Sequence, residues 1–164
     1  RIYECIEFPL KWRLKNTLIS NVSAADSVIF FFEDTWFMLT NICSSKISEH
    51  NSELHLYFSD NPLSDCWKPS INNPLIFNSQ TARNGGLFQH DGKLYRINQR
   101  HGKGRYGVSF DINEVLAVNP SQYSEKLIKS VRPNFFPLLD GAHHYHLNKN
   151  FVVFDHCRLE NINR

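Results

Sequence analysis

Gly86-Leu-Phe-Gln-His-Asp-Gly-Lys-Leu-Tyr-Arg-Ile-Asn-Gln99 reads as two strands joined by a two-residue turn. Asp-Gly between strand-like runs is the strongest short-range hairpin signal, because both turn positions require a positive φ that these residues tolerate. The pattern runs on through a Gly102-Lys-Gly104 turn into Tyr106-Gly-Val-Ser-Phe-Asp-Ile112. Upstream lies a comparable set: Val28 to Phe32, Trp36 to Thr40 and Glu53 to Ser59, with Glu33-Asp34 as a tight turn and Ser44 to Ser52 as a polar loop. A short strand, Leu75-Ile-Phe77, follows Trp67. Downstream, His143-His-Tyr-His-Leu147 returns through Asn148-Lys-Asn150 to Phe151-Val-Val-Phe-Asp-His156. Asp111-Ile-Asn-Glu-Val-Leu116 is expected to form one short helical turn capped by Asp111.

Asp26, Arg83 and His143 open the inner strand of each set, separated by 57 and 60 residues. An approximate repeat of four strands per unit is the signature of a β-propeller, although a two-sheet sandwich has similarly regular strands. The fold class is therefore all-β, in one domain spanning residues 1–164. A chain of 164 residues is long enough for one compact core and gives little room for two.

Eighteen basic and sixteen acidic residues leave a formal charge of +2. That balance disfavours a nucleic-acid partner, which calls for a basic stripe. The longest apolar run, Val28 to Phe32, is one strand, and nothing approaches the roughly 20 residues of a membrane-spanning helix. Cys5, Cys43, Cys66 and Cys157 form no C-x-x-C pair and read as free, buried thiols of a reducing compartment, which places the chain in the cytoplasm. The chain has no P-loop, no dinucleotide fingerprint and no G-x-S-x-G elbow, and no cofactor is expected. Asn21-Val-Ser23 is a lone glycosylation sequon.

Polar side chains at strand starts and ends point to a sugar pocket. Arg83 precedes Asn84-Gly85-Gly86, and paired glycines permit close backbone approach and leave the guanidinium to a ligand. A carboxylate within reach of Arg83 would be held ionised, suiting it to accept a sugar hydroxyl. Asp26 is the acidic residue at a clear inner-strand start, with a turn or strand-cap aspartate as its plainer reading. Gln99 is a bidentate group suited to vicinal hydroxyls. Tyr106 is placed to stack on or donate to the same ligand, and His143 and His144 open the third inner strand. Arg96, Arg100, His101, Lys103 and Arg105 cluster around a hairpin, either as a solvated face or as a phosphate clamp. His144-x-His146 with Asp155-His156-Cys157 matches no established metal signature, and no metal site is expected. Trp12, Trp36 and Trp67 read as wedges between sheets.

Ile2 to Trp12, Ala25-Asp26, Trp36, Ser59 to Trp67, Asn73-Pro74, Ala82 to Gly86, Tyr95 to Gln99, Tyr106-Gly107 and Gly141 to His143 together resemble a known family. It is the five-bladed propeller domain related to furanosidase and fructosidase glycoside hydrolases of the family-43 kind. The nearer likeness is to the version beside glycosyltransferase and formyltransferase-like domains, including the N-terminal propeller of plant glucosamine inositolphosphorylceramide transferase. The resemblance covers almost the whole chain. It implies that about three C-terminal blades are present, that roughly two lie upstream of Arg1, and that an open fragment would self-associate.

Three functions follow from it. The first is recognition of a carbohydrate or nucleotide-sugar in the central channel, within a glycan or glycolipid assembly protein. The second is a glycoside hydrolase with Asp26 as one of two catalytic carboxylates. The third is a scaffold for a neighbouring transferase domain. If an enzyme, the protein is a glycoside hydrolase or part of a glycosyltransferase.

Overall fold

The structure is a computed structural model that describes residues 1–44, 49–102 and 105–158. Among the described residues every regular element is a β-strand. β1 (Ile2–Glu7) and β2 (Lys11–Asn16) form an antiparallel hairpin. β3 (Ala24–Phe32), β4 (Thr35–Ile42), β5 (Glu53–Ser59) and β6 (Lys68–Pro69) form a meander, with β7 (Ile76–Phe77) also pairing to β5. β8 (Asn84–His90), β9 (Lys93–Gly102), β10 (Arg105–Asn119) and β11 (Gln122–Val131) form a second meander. Two small sheets follow: β13 (Tyr145–Asn148) with β14 (Phe151–Phe154), and β12 (Leu139–Gly141) with β15 (Cys157–Arg158).

The turns form where left-handed backbone is tolerated. Glu33 and Asp34 have φ of 45° and 60°, and Asp91 and Gly92 have 48° and 73°. Positive φ at both central residues is the type I′ geometry, whose twist matches that of the flanking strands.

Each meander packs against neighbours on both faces at its middle, so β4, β5 and β9 are buried over most of their length. Phe30, Phe37, Leu39, Leu54, Leu56, Leu87, Leu94 and Val118 pack between the two. Met38, Ile42, Tyr57 and Trp67 lie on the far side of the first, with Ile2 and Leu18 against them. Phe88, Ile97, Phe110 and Ala142 lie on the far side of the second, joined by Tyr145 and Leu147. Leu54 and Leu56 are fully buried, and truncating either to alanine is expected to destabilise the fold by about 2–5 kcal/mol. As a result β8 packs between β3 and β13, bringing the first strands of successive sheets side by side.

Several sequence expectations are corrected. Asp111 to Leu116 is not a helical turn: it continues β10, with Asp111 to Val115 paired to both β9 and β11, and Asp111 is buried beside Arg100. Ile112 and Phe110 side chains are needed in the sheet's packed face, and this packing overrides a capping aspartate. Trp67 is buried and Trp36 packs against the same cluster, but Trp12 is 56% exposed and wedges nothing, its indole N–H donating to the Pro9 carbonyl. No cysteine is buried: Cys5 and Cys43 are half-buried, Cys66 and Cys157 are exposed, and no disulfide joins them.

Candidate functional site

Two bulges shape the start of the inner strands. In β3 the pairing with β4 shifts register between Ala25 and Val28, and Asp26, inside the bulge, adopts φ 50°. In β8 the pairing with β9 shifts between Asn84 and Gly86, leaving Gly85 unpaired. A bulge re-aims the side chain it carries. Here it turns Asp26 toward the start of β8.

Asp26 Oδ2 pairs with Arg83 Nε and accepts from Gln99 Nε2 at 3.0 Å. Arg83 Nη1 donates to Asn51 Oδ1 at 3.2 Å, and Asn84 Nδ2 donates to the Asp26 carbonyl at 3.1 Å. Arg83, with a side chain only 14% exposed, is thus committed to protein partners. The paired glycines serve the protein as well. A Cβ on Gly85 would collide with the His143 carbonyl, and one on Gly86 with the Tyr145 carbonyl, so their absence lets the chain entering β13 lie against β8.

That contact brings His143 and His144 to the site. Asp155, after β14, accepts from the backbone N–H of His143 at 2.9 Å and of His144 at 2.7 Å through Oδ1, while Oδ2 pairs with His143 Nδ1. Tyr106 stacks on His101, with ring centres 5.0 Å apart, and meets His143 edge-on at 4.8 Å. Burial lowers the His101 pKa, helped by the positive Arg83 nearby, and burial likewise lowers that of His144.

The groups enclose a cavity of about 190 Å³, lined by Asp26, Asn84, Gly85, Gly86, Gln99, Tyr106, His143 and His144 together with Ser27 and Val28. Five of the six residues expected to form a sugar site line it, and the sixth, Arg83, holds Asp26 from behind. A wider cleft of about 700 Å³ opens along the same strands past His144 and His146 to Lys149.

The remaining basic residues do not form a clamp. Arg96 is fully buried and held by Glu125 in two bonds of 2.7 and 2.6 Å; burial opposes its charge, yet the pairing outweighs burial and raises its pKa. Arg100 pairs with Asp111, and Arg105 with Asp140. Lys103 lies outside the described residues. Arg96 instead braces the site: its guanidinium also donates to the Thr81 and Ala82 carbonyls and to Asn84 Oδ1.

Gln99 is not the bidentate group expected. Its Nε2 donates both to Asp26 and to the Asn84 carbonyl, so only Oε1 is left over. Asn51 escaped sequence reasoning, and Asp155 entered it only within a metal constellation and not as the partner of His143, since each meets its partner only after the chain returns from a loop or a neighbouring hairpin. Asp155 had the faint signal of following an apolar strand opposite His144.

The architecture and cavity define an all-β domain in which polar residues from the first strands of successive antiparallel sheets converge on one small site. The chain matches, over residues 1–148, the family described as Glucosamine inositolphosphorylceramide transferase 1, N-terminal. It belongs to that family. A similar curated protein is Glucosamine inositolphosphorylceramide transferase 1 of Oryza sativa subsp. japonica, 30% identical over 128 residues, covering 76% of this chain. The chain spans only 17% of that relative's length. No solved structure matches the chain.

Proposed function

We propose that this chain is the carbohydrate-recognising module of a glycolipid-assembling transferase, with its ligand seated among Asp26, Gln99, Tyr106, His143 and His144. In this reading β3, β8 and β13 are the inner strands of consecutive propeller blades, and the cavity belongs to their shared channel. The observation that carries it is the convergence of Asp26, Asn84 and His143, at or beside the starts of β3, β8 and β13, on one cavity. The family's name, Glucosamine inositolphosphorylceramide transferase 1, N-terminal, contains a sugar and favours a glycan over other polar ligands.

Hydrolysis is the alternative, with Asp26 as one of two carboxylates and its partner in blades upstream of Arg1. Glycoside hydrolysis uses two carboxylates flanking the scissile bond. Among the described residues lining the cavity Asp26 is the only carboxylate, and Asp155 is occupied behind His143.

A glycan array and a nucleotide-sugar panel, read for binding with free sugar measured in the same wells, test the reading. Binding without release is expected. Release of sugar would replace it with hydrolysis, and silence across both panels would leave a scaffold.

A further inference from the structure

The polarity of the cavity deepens the carbohydrate reading, on which it rests. Both hydrogens of the Gln99 amide are committed, at 3.0 Å to Asp26 Oδ2 and 2.5 Å to the Asn84 carbonyl. Turning the amide over would set its oxygen against a carboxylate and a carbonyl, so the orientation is fixed. Gln99 Oε1 is then an acceptor, buried without a donor among the described residues, on a side chain that lines the cavity and belongs to a residue only 3% exposed.

His143 acquires the same character. A carboxylate only accepts, so Asp155 fixes the ring proton on Nδ1 and leaves Nε2 of the neutral ring as a bare acceptor. Asp26 is anionic but already faces Arg83. No lysine or arginine lines the cavity among the described residues, and burial disfavours the charged forms of His101 and His144 beside it. The volume, about 190 Å³, falls below the roughly 300–1,000 Å³ of pockets that hold drug-sized ligands. It suits one six-membered ring.

We propose that the cavity takes a single uncharged polyhydroxylated ring by its hydroxyl hydrogens, accepted by Asp26, Gln99 and His143. Rings carrying a phosphate or carboxylate are refused, and Asp155 sets this selectivity through the tautomer of His143. An anionic substituent would face the Asp26 carboxylate and the Gln99 and His143 acceptors, with the one neighbouring arginine already engaged.

The test titrates the chain by ¹H–¹⁵N NMR with neutral methyl pyranosides and myo-inositol, and with glucuronate and glucose 6-phosphate as ring-matched anions. At least one neutral ring is expected to shift the resonances of Gln99 and His143, with the anions at least tenfold weaker. In Asp155→Asn the asparagine amide donates to His143 Nδ1, driving the proton to Nε2. The ¹⁵N shifts of the ring should report that reversal, and neutral-ring affinity should fall about tenfold. Tighter binding of the anions would overturn the proposal while leaving carbohydrate recognition standing. Failure of every neutral and anionic probe would overturn both. A reversed tautomer with unchanged affinity would remove the role given to Asp155.

Discussion

Asp26 carries the site because its backbone is held where few non-glycine residues go. A left-handed φ of 50° inside a strand is unfavourable for an aspartate, and Arg83, Gln99 and Asn84 together hold it there. Sequence reasoning reached Asp26 and Arg83 because both open strand sets at matching intervals, and an arginine there would hold ionised any carboxylate within its reach. The role of the arginine was misjudged, since Arg83 faces Asp26 and Asn51 rather than open space. Arg83→Ala is therefore expected to weaken glycan binding at least tenfold by releasing Asp26, since losing a hydrogen bond to a charged group is worth about 1.5–3 kcal/mol. The chain should stay folded, as judged by circular dichroism. Undiminished binding in the folded variant would contradict the role given to this pair. Asn51 and the anchoring role of Asp155 were illegible for a physical reason: a polar side chain that anchors a distant segment leaves no periodic trace in its own.

At the scale of elements, hairpins were legible where turn chemistry forces them. Glu33-Asp34 and Asp91-Gly92 both adopt the left-handed turn geometry, and β5 spans the residues its pattern marks. β11 was missed because it is largely exposed and alternates weakly, and β10 was cut short by reading Asp111 as a cap rather than as a buried partner of Arg100. The packing of β8 yields a sharp expectation. Gly86 has φ 133° and sits against the Tyr145 backbone, so Gly86→Ala should cost about 1–3 kcal/mol in backbone strain alone and push β13 away. Urea denaturation would measure the loss, and an unchanged midpoint would contradict the close approach. The link between β9 and β11 is equally testable. Glu125→Gln leaves the buried Arg96 charge uncompensated and should destabilise by about 3–5 kcal/mol, with the loosened Thr81–Asn84 segment weakening ligand binding as well. A loss below about 1 kcal/mol, by the same denaturation, would mean that water reaches the arginine.

For the whole molecule, the sequence pattern conveyed an all-β chain and the positions of most inner strands. It conveyed less about how the sheets stack, because strands buried on both faces lose the alternation that tells inside from outside. The stacking places two imidazoles, the half-buried His101 and the more exposed His144, at the site. Their folded-state pKa values lie below the ordinary 6.5, so folding favours the neutral rings. The stability they contribute is fully present above about pH 6.5 and is lost as pH falls from there through the lowered folded values. Melting temperature should therefore drop between neutral pH and about pH 5, and drop less when both are replaced by glutamine. An identical decline in that double variant would assign the acid sensitivity elsewhere. Whether a glycan binds where the first strands of three sheets meet is decided by mapping amide shift changes on addition of whichever glycan the array selects. Changes should concentrate at Asp26–Val28, Asn84–Gly86, Gln99, Tyr106 and His143–His144, and should vanish in Asp26→Ala. Saturable binding with changes confined to other surfaces, unaffected by that substitution, would place the glycan elsewhere and refute the site.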